Sequence, residues 1–156
     1  MIKEIITNIN ELKKPCAIVE LDESVTEIIQ DLKDTLASKK GLGLSANQIG
    51  VNKKISYIKV PVSISQNKEI QYVEHVLINA RIIEKSRVVQ VKGESCLSFS
   101  GLKVNTLRYA FITVEYLDEK MELQTRMFQD LIGLVIQHEC DHQLGFTLLQ
   151  RKWVAR

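Results

Sequence analysis

His138, Glu139, Cys140, Asp141 and His142 follow one another in the sequence, and their spacing is that of a helix able to activate water on a metal ion. Residues four apart in a helix lie about 40° from eclipsed, so both imidazoles can reach one cation from the same face. Glu139 stands about 100° round from His138, close enough to handle a proton on a water there without being a ligand. The bland alternative is a solvated, charged helix turn. Against it, two of the chain's three histidines fall in this turn, among Leu131, Ile132, Leu134, Val135, Ile136 and Leu144. Burying that much charge without a metal would be costly.

A catalytic metal of this kind keeps three protein ligands and an open position. After His142 the sequence reads QLGFTLLQRKWVAR, with no acid and no histidine, so the third ligand comes from upstream or from Asp141. Asp141 lies about 100° from His142 in the wrong sense and is expected to orient a histidine from behind. Cys140 faces away from His138 and reads as core. Cys96 sits in a turn-like stretch, Gly93 to Ser98, after an apolar strand ending at Val91; its thiolate could close a Cys-His-His set suited to zinc, iron(II), cobalt or nickel. Cys16, beside Pro15, and His75, in a polar-faced strand, are weaker candidates. A further feature is the run from Gly41 to Gly50, GLGLSANQIG. Its glycines permit close backbone approach and an extended segment can pair with a peptide as an added strand, while the Gln48 amide could hold an oxyanion. The Gly-Lys-Ser/Thr ending of a phosphate loop is missing.

The elements that must position these residues are legible in outline. From Asp22 to Lys39, Val25, Ile28, Ile29, Leu32 and Leu36 recur at helical spacing, with Gly41 just past the end. Lys54 to Val60, Ile70 to Ile78, Ile82 to Val91, Phe111 to Tyr116 and Met121 to Phe128 read as strands of a mostly antiparallel sheet, with a hairpin tip at Gln66 to Lys68. Asp130 is placed as the N-cap of a second helix, Leu131 to Leu144, which Gly145 ends. The expected architecture is α+β, antiparallel twisted sheets around a central helix that carries the metal motif. With 156 residues, 45% of them hydrophobic, a single domain spanning 1–156 is expected. A net charge of +2 argues for neither nucleic acid nor an anionic membrane as partner. Three cysteines without framework spacing suit a reducing compartment, and no signal peptide or membrane span is visible, so the expected location is the cytoplasm.

Three segments in this order, GLGLSANQ from Gly41 to Gln48, ESCLS from Glu94 to Ser98 and QHECDH from Gln137 to His142, resemble the G-x-G-L-A-A-x-Q, E-G-C-L-S and Q-H-E-x-D-H segments of the peptide deformylases. The resemblance spans nearly the whole chain. It implies a hydrolase that removes the formyl group from N-formylmethionine of nascent polypeptides, with one divalent metal ion on Cys96, His138 and His142: natively iron(II), with zinc, nickel or cobalt able to replace it. Glu139 would be the general acid/base, with Gln48 and the backbone N–H of Leu97 holding the oxyanion. The backbone at Gly41, Gly43 and Leu44 would bind the peptide, and Leu134 and Val135 would line the methionine pocket, although a core role predicts the same two residues. Arg108 would pair with Glu94 and brace the cysteine loop.

Ser45 replaces a usual alanine, a change expected to be tolerated. Ser95 replaces a usual glycine; a positive φ there would carry strain, and the expectation is that the loop adjusts instead. Many members continue into a C-terminal helix that helps dock on the ribosome; this sequence stops at Arg156 and so resembles the short forms carried by some bacteriophages, which puts ribosome binding in doubt. The rival readings are an H-E-x-x-H metallopeptidase, disfavoured by the missing downstream ligand, and a non-enzymatic module with a structural metal, which would want a fourth ligand and leave Glu139 without a task. A cysteine hydrolase using Cys96 would differ in being indifferent to chelators.

Overall fold

A computed structural model describes residues 1–64, 66–67 and 69–153, with residues 63 and 64 described by their backbone alone. Helices α1 (Ile9–Leu12) and α2 (Thr26–Ala37) precede strands β1 (Gly43–Ser45) and β2 (Ile55–Ile64), with a 3-10 turn at Ala46–Ile49 between the strands. Strands β3 (Ile70–Lys85), β4 (Val88–Glu94), β5 (Val104–Tyr109), β6 (Phe111–Leu117) and β7 (Leu123–Gln129) follow. Helix α3 (Asp130–Leu144) and a 3-10 turn at Leu148–Arg151 complete the described chain. Five strands form one antiparallel sheet in the order β1-β2-β3-β6-β7, and β4 pairs with β5 separately. The expected α+β architecture holds.

The sheet is buried on both faces at its centre. Ile55, Tyr57, Val76 and Ile78 face α2, where they pack with Ile29, Leu32 and Leu36. Ile58, Leu77, Ile112, Val114 and Phe128 face α3, where they pack with Ile136 and Cys140. This explains the unbroken Val76-Leu77-Ile78 run, since a strand covered on both sides has no solvent face to mark with polar residues. Each such fully buried aliphatic side chain is worth roughly 1.5–3 kcal/mol.

Several boundaries differ from expectation. Helix α2 starts at Thr26, not Asp22, because Glu20 and Glu23 close a turn, the Glu20 N–H donating to Glu23 Oε1 at 3.0 Å. Strand β3 runs without a break from Ile70 to Lys85. Asn79, at φ +52°, makes a bulge in it, and its side-chain amide is clamped to the Val19 backbone by two bonds of 2.8 and 2.9 Å. Strand β5 escaped the sequence reading because its pattern is inverted: Thr106 and Arg108 point in while Asn105 and Leu107 point out. Gln66 and Asn67 turn as expected, and Lys68 lies outside the described residues.

Helix α3 is the centre of the molecule. Every residue from Ile136 to Gln143 is buried, so its polar side chains must find partners inside the protein. Gln137 ties the helix to β5: the Tyr109 N–H donates to Gln137 Oε1 at 2.8 Å, and Gln137 Nε2 donates to the Tyr109 carbonyl at 2.9 Å. Gln143 ties it to β3, accepting from the Ala80 N–H at 3.1 Å and donating to the Leu77 carbonyl at 3.0 Å. Gly145 ends the helix at φ +82°, as expected. Asp130 is not the cap: Gln129 holds that position, still paired in β7, and Asp130 itself takes a left-handed φ of +55° as the chain turns from strand to helix without a linker.

Candidate metal centre and active site

Two separate elements deliver the three donors. Helix α3 presents His138 and His142 one turn apart with their Nε2 atoms 3.2 Å from each other. The segment after β4 brings Cys96 Sγ to 3.5 Å from His142 Nε2. All three donor atoms lie within 4.8 Å of one another, and all three residues are buried. Placed tetrahedrally around one zinc-sized cation, two imidazole nitrogens stand about 3.3 Å apart and a nitrogen and a thiolate sulfur about 3.6 Å. The observed spacings match, so the residues fit a single divalent cation with one position open.

Behind the donors lies a buried chain of charge. His138 Nδ1 is 2.8 Å from Glu94 Oε2. Arg108 grips both oxygens of Glu94, Nε donating to Oε1 at 2.9 Å and Nη2 to Oε2 at 2.6 Å, and its Nη1 donates to Asp141 Oδ2 at 2.5 Å. Arg151 completes the chain with a two-point contact to Asp141 at 2.8 and 2.9 Å. Burial pushes the Glu94 carboxyl up, but the hydrogen bonds from Arg108 and His138 outweigh it and hold the group well below the usual carboxylate range. Burial would likewise lower His138, yet its bonds to Cys96 and Glu94 raise it to about 10; the site favours positive charge at that point. Asp141 therefore does not orient a histidine directly, as the sequence suggested. Glu94 holds His138, Asp141 acts one step further back through Arg108, and His142 Nδ1 is buried without a protein partner. Charge on an already crowded helix face would repel another carboxylate near the donors, and an arginine between the two acids removes that repulsion.

Glu139 stands near the other ring nitrogen of His138 from the one Glu94 holds, its Oε1 4.0 Å from Nε2. Its Oε2 accepts from the Ser45 hydroxyl at 2.7 Å; Ser45 Oγ lies 2.6 Å from Ser56 Oγ, which in turn accepts from Gln143 Nε2 at 2.9 Å. Because Gln143 can only donate there, the hydroxyls line up as donors toward the carboxylate. Burial raises the Glu139 carboxyl, while His138 and Ser45 oppose that rise. Gly43 leaves room beside it: a Cβ at that position would stand 3.1 Å from Glu139 Cγ and Oε1, close enough to press on the carboxylate.

Gln48 Oε1 accepts from the Ser45 N–H at 2.9 Å, leaving Nε2 near Ser98 Oγ at 3.1 Å and Cys96 Sγ at 3.6 Å. A cavity of about 490 Å³ opens over the donors, lined among others by Gly41, Gly43, Gln48, Leu97, Leu134, Val135 and Glu139. Leu134 and Val135 are half-buried and line this cavity, and Val135 packs against the core between the sheet and α3 as well. Leu44 is the exception: its side chain is fully buried in the core under α2, so only its backbone, on the edge strand β1, can meet a ligand. Ser95 is exposed and is not among the residues with left-handed φ, which in this loop is Gly93 at +72°; the strain that a serine there would carry does not arise.

The model of the polypeptide deformylase family matches residues 2–153. The chain belongs to the peptide deformylase family. It is 36% identical to the peptide deformylase of Aquifex aeolicus, over 97% of this chain and 88% of that protein. Among solved structures it is similar to a Synechococcus elongatus peptide deformylase in complex with actinonin (27% identity, TM-score 0.84, 98% of this chain and 79% of that one). It is also similar to a probable peptide deformylase from Synechococcus phage S-SSM7 (25% identity, TM-score 0.81, 97% and 98%). Deformylases are hydrolases that remove the formyl group from the N-terminus of nascent formylmethionyl peptides with the help of a divalent metal ion, and that is the activity of this chain. Polar residues outside the expected set support the deformylase site through hydrogen bonds. Gln143 carried a signal, standing four residues after Glu139 and so on the same helix face; Ser56, Asn47, whose amide donates to the His142 carbonyl at 3.1 Å, and Arg151 carried none.

Proposed function

We propose that Glu139 is the general acid/base of the deformylation and that Cys96, His138 and His142 hold the metal, natively iron(II), with zinc, nickel or cobalt able to replace it. The observation that supports this reading is that Glu139 lines the cavity shared with Cys96 and His138, its Oε1 4.0 Å from His138 Nε2, while Oε2 is tied back to Ser45. When bound, the cation supplies Lewis-acid polarisation and lowers the pKa of water. Glu139 Oε1 takes a proton from the attacking water as its oxygen bonds to the formyl carbon. Gln48 Nε2 and the backbone N–H of Leu97 stabilise the formyl oxygen as its charge grows. Glu139 returns the proton to the amine nitrogen as the C–N bond breaks, leaving formate and a free methionyl amine. Glu94, Arg108 and Asp141 keep His138 in its orientation throughout.

Gly41 and the free edge of β1 at Gly43 and Leu44 take the peptide backbone as an added strand, and Leu134 and Val135 take the methionine side chain. Since the site draws on residues from Ser45 to Arg151, residues 1–156 act as a single deformylase domain in this reading. Its place is the cytoplasm, where formylated nascent chains are made and where three buried, unpaired cysteines stay reduced; no helix of the described chain is long and apolar enough to cross a membrane. The test is formate release from formyl-Met-Ala-Ser by anaerobically purified protein beside the Glu139→Gln variant. We expect the variant to keep its metal and lose about 10²–10⁴-fold in rate, the range for a lost acid/base. A variant that retains full activity would remove Glu139 from the mechanism.

A further inference from the structure

A second depression opens beside the active-site cavity, and the two share Lys40, Gly41 and Leu42. Lys39, Lys40 and Lys59 line it with Tyr57, Pro61 and Tyr72, and no acidic side chain does. All three lysines are exposed, and among the described residues none makes an ion pair; Lys59 Nζ instead stands over the Tyr72 ring, 4.8 Å from its centre. Lys33, in the same depression, is already matched by Glu119 at 2.8 Å. Glu74, opposite Lys59 across the β2-β3 pair, accepts from the Tyr57 hydroxyl, so three exposed lysines face one nearby acid, and with the two aromatic rings they leave a surface of excess positive charge complementary to carboxylates.

The direction of β1 decides what reaches it. Ser45 and Gln48 lie against Glu139 and Cys96, whereas Gly41 and Lys40 lie where the two depressions join. A peptide on the free edge of β1 with its formyl end at Glu139 must lead away toward Lys40. At about 3.3 Å per residue, residues a few places beyond the methionine come level with the lysines. Resting on the deformylase reading, we propose that this basic depression binds acidic side chains at about the third to sixth positions of the substrate chain, so that the enzyme selects nascent peptides with acidic N-terminal regions.

The test compares kcat and KM for formyl-Met-Ala-Ser with those for three formylated hexapeptides, formyl-Met-Ala-Asp-Asp-Glu-Ser, formyl-Met-Ala-Ser-Ser-Gln-Ser and formyl-Met-Ala-Lys-Lys-Arg-Ser. For exposed pairs of this kind we expect the acidic peptide to show a KM about three- to tenfold below the neutral one at low salt with kcat unchanged. That advantage should vanish near 1 M salt, where the Debye length is about 3 Å, and in the Lys39→Glu/Lys59→Glu variant, which should still process the tripeptide normally. Equal KM values for the three hexapeptides, or a preference that the double substitution leaves in place, would overturn the proposal. So would an oligouridylate that competes through the same lysines more strongly than the acidic product peptide, since the lysines would then serve a nucleic acid. Fluorescence anisotropy of the labelled acidic product peptide on wild type and variant reads the depression without turnover. Loss of tripeptide processing alone would therefore count against the deformylase reading and not against the depression.

Discussion

Glu139 is bound at one oxygen and free at the other, and that asymmetry divides its work. The Ser45 hydroxyl on Oε2 favours the charged carboxylate, and a hydrogen bond to a charged group is among the stronger ones a protein makes. Removing it in Ser45→Ala favours the protonated form, so the acid limb of kcat/KM should move to higher pH while the rate on the alkaline plateau stays within about threefold, as expected where another acid/base contact remains intact. A pH–rate profile of the two proteins checks this; a limb that does not move would show that the hydroxyl only fills space. Sequence comparison with the family marked Ser45 as a harmless departure from alanine. Its contact with Glu139, 94 positions away in the chain, was invisible because no local pattern encodes a pairing across that separation.

At the scale of elements, α3 decides whether the site forms, and its C-terminal end is where it is anchored. Gly145 sits at φ +82°, and a Cβ there would lie 2.5 Å from the Lys13 carbonyl oxygen and 2.9 Å from Pro15 N, both rigid backbone. Gly145→Ala should destabilise the fold by about 1–3 kcal/mol from backbone conformation alone, with the clash added, read as a lower midpoint in urea. Strand β3 offers a pH-dependent counterpart. His75 packs edge-on against Phe128 with ring centres 5.2 Å apart, and burial, with Arg126 nearby, lowers its pKa below the usual 6.5. The folded state thus prefers the neutral ring. Its contribution is intact above the unfolded value of 6.5, diminishes as pH falls below it, and is lost once pH has passed the folded value. Urea midpoints measured from neutral to mildly acidic pH should fall more for the wild type than for His75→Leu; parallel curves would show that the ring is not titrating against the fold.

Across the whole molecule, the donors, the charge chain behind them and the proposed acid/base with its hydroxyl partners come from β1, β2, β4 and the loop after it, β5, α3 and the terminal 3-10 turn, so metal binding is expected to be coupled to folding. Chelation should lower the melting temperature and abolish formate release together, and cobalt or nickel should restore both. A metal present at a thousand times its Kd adds about 4 kcal/mol, a shift that calorimetry resolves; unchanged melting after metal loss would mean that the metal does not bind the folded state in preference to the unfolded one. The local spacing of His138, Glu139 and His142 determined the chemistry, because a helical repeat places them on one face whatever surrounds them. Apolar periodicity likewise determined most strands and both long helices, since burial of one face leaves its mark on the sequence. Only the tertiary structure decided that Glu94, not Asp141, holds His138, that β5 turns its polar residues inward, that Ser45 reaches Glu139, and that Lys39, Lys40 and Lys59 converge beside the cavity. Those are contacts between segments far apart in the chain, set by sheet register and helix docking. Neither composition nor period records which buried donor meets which acceptor.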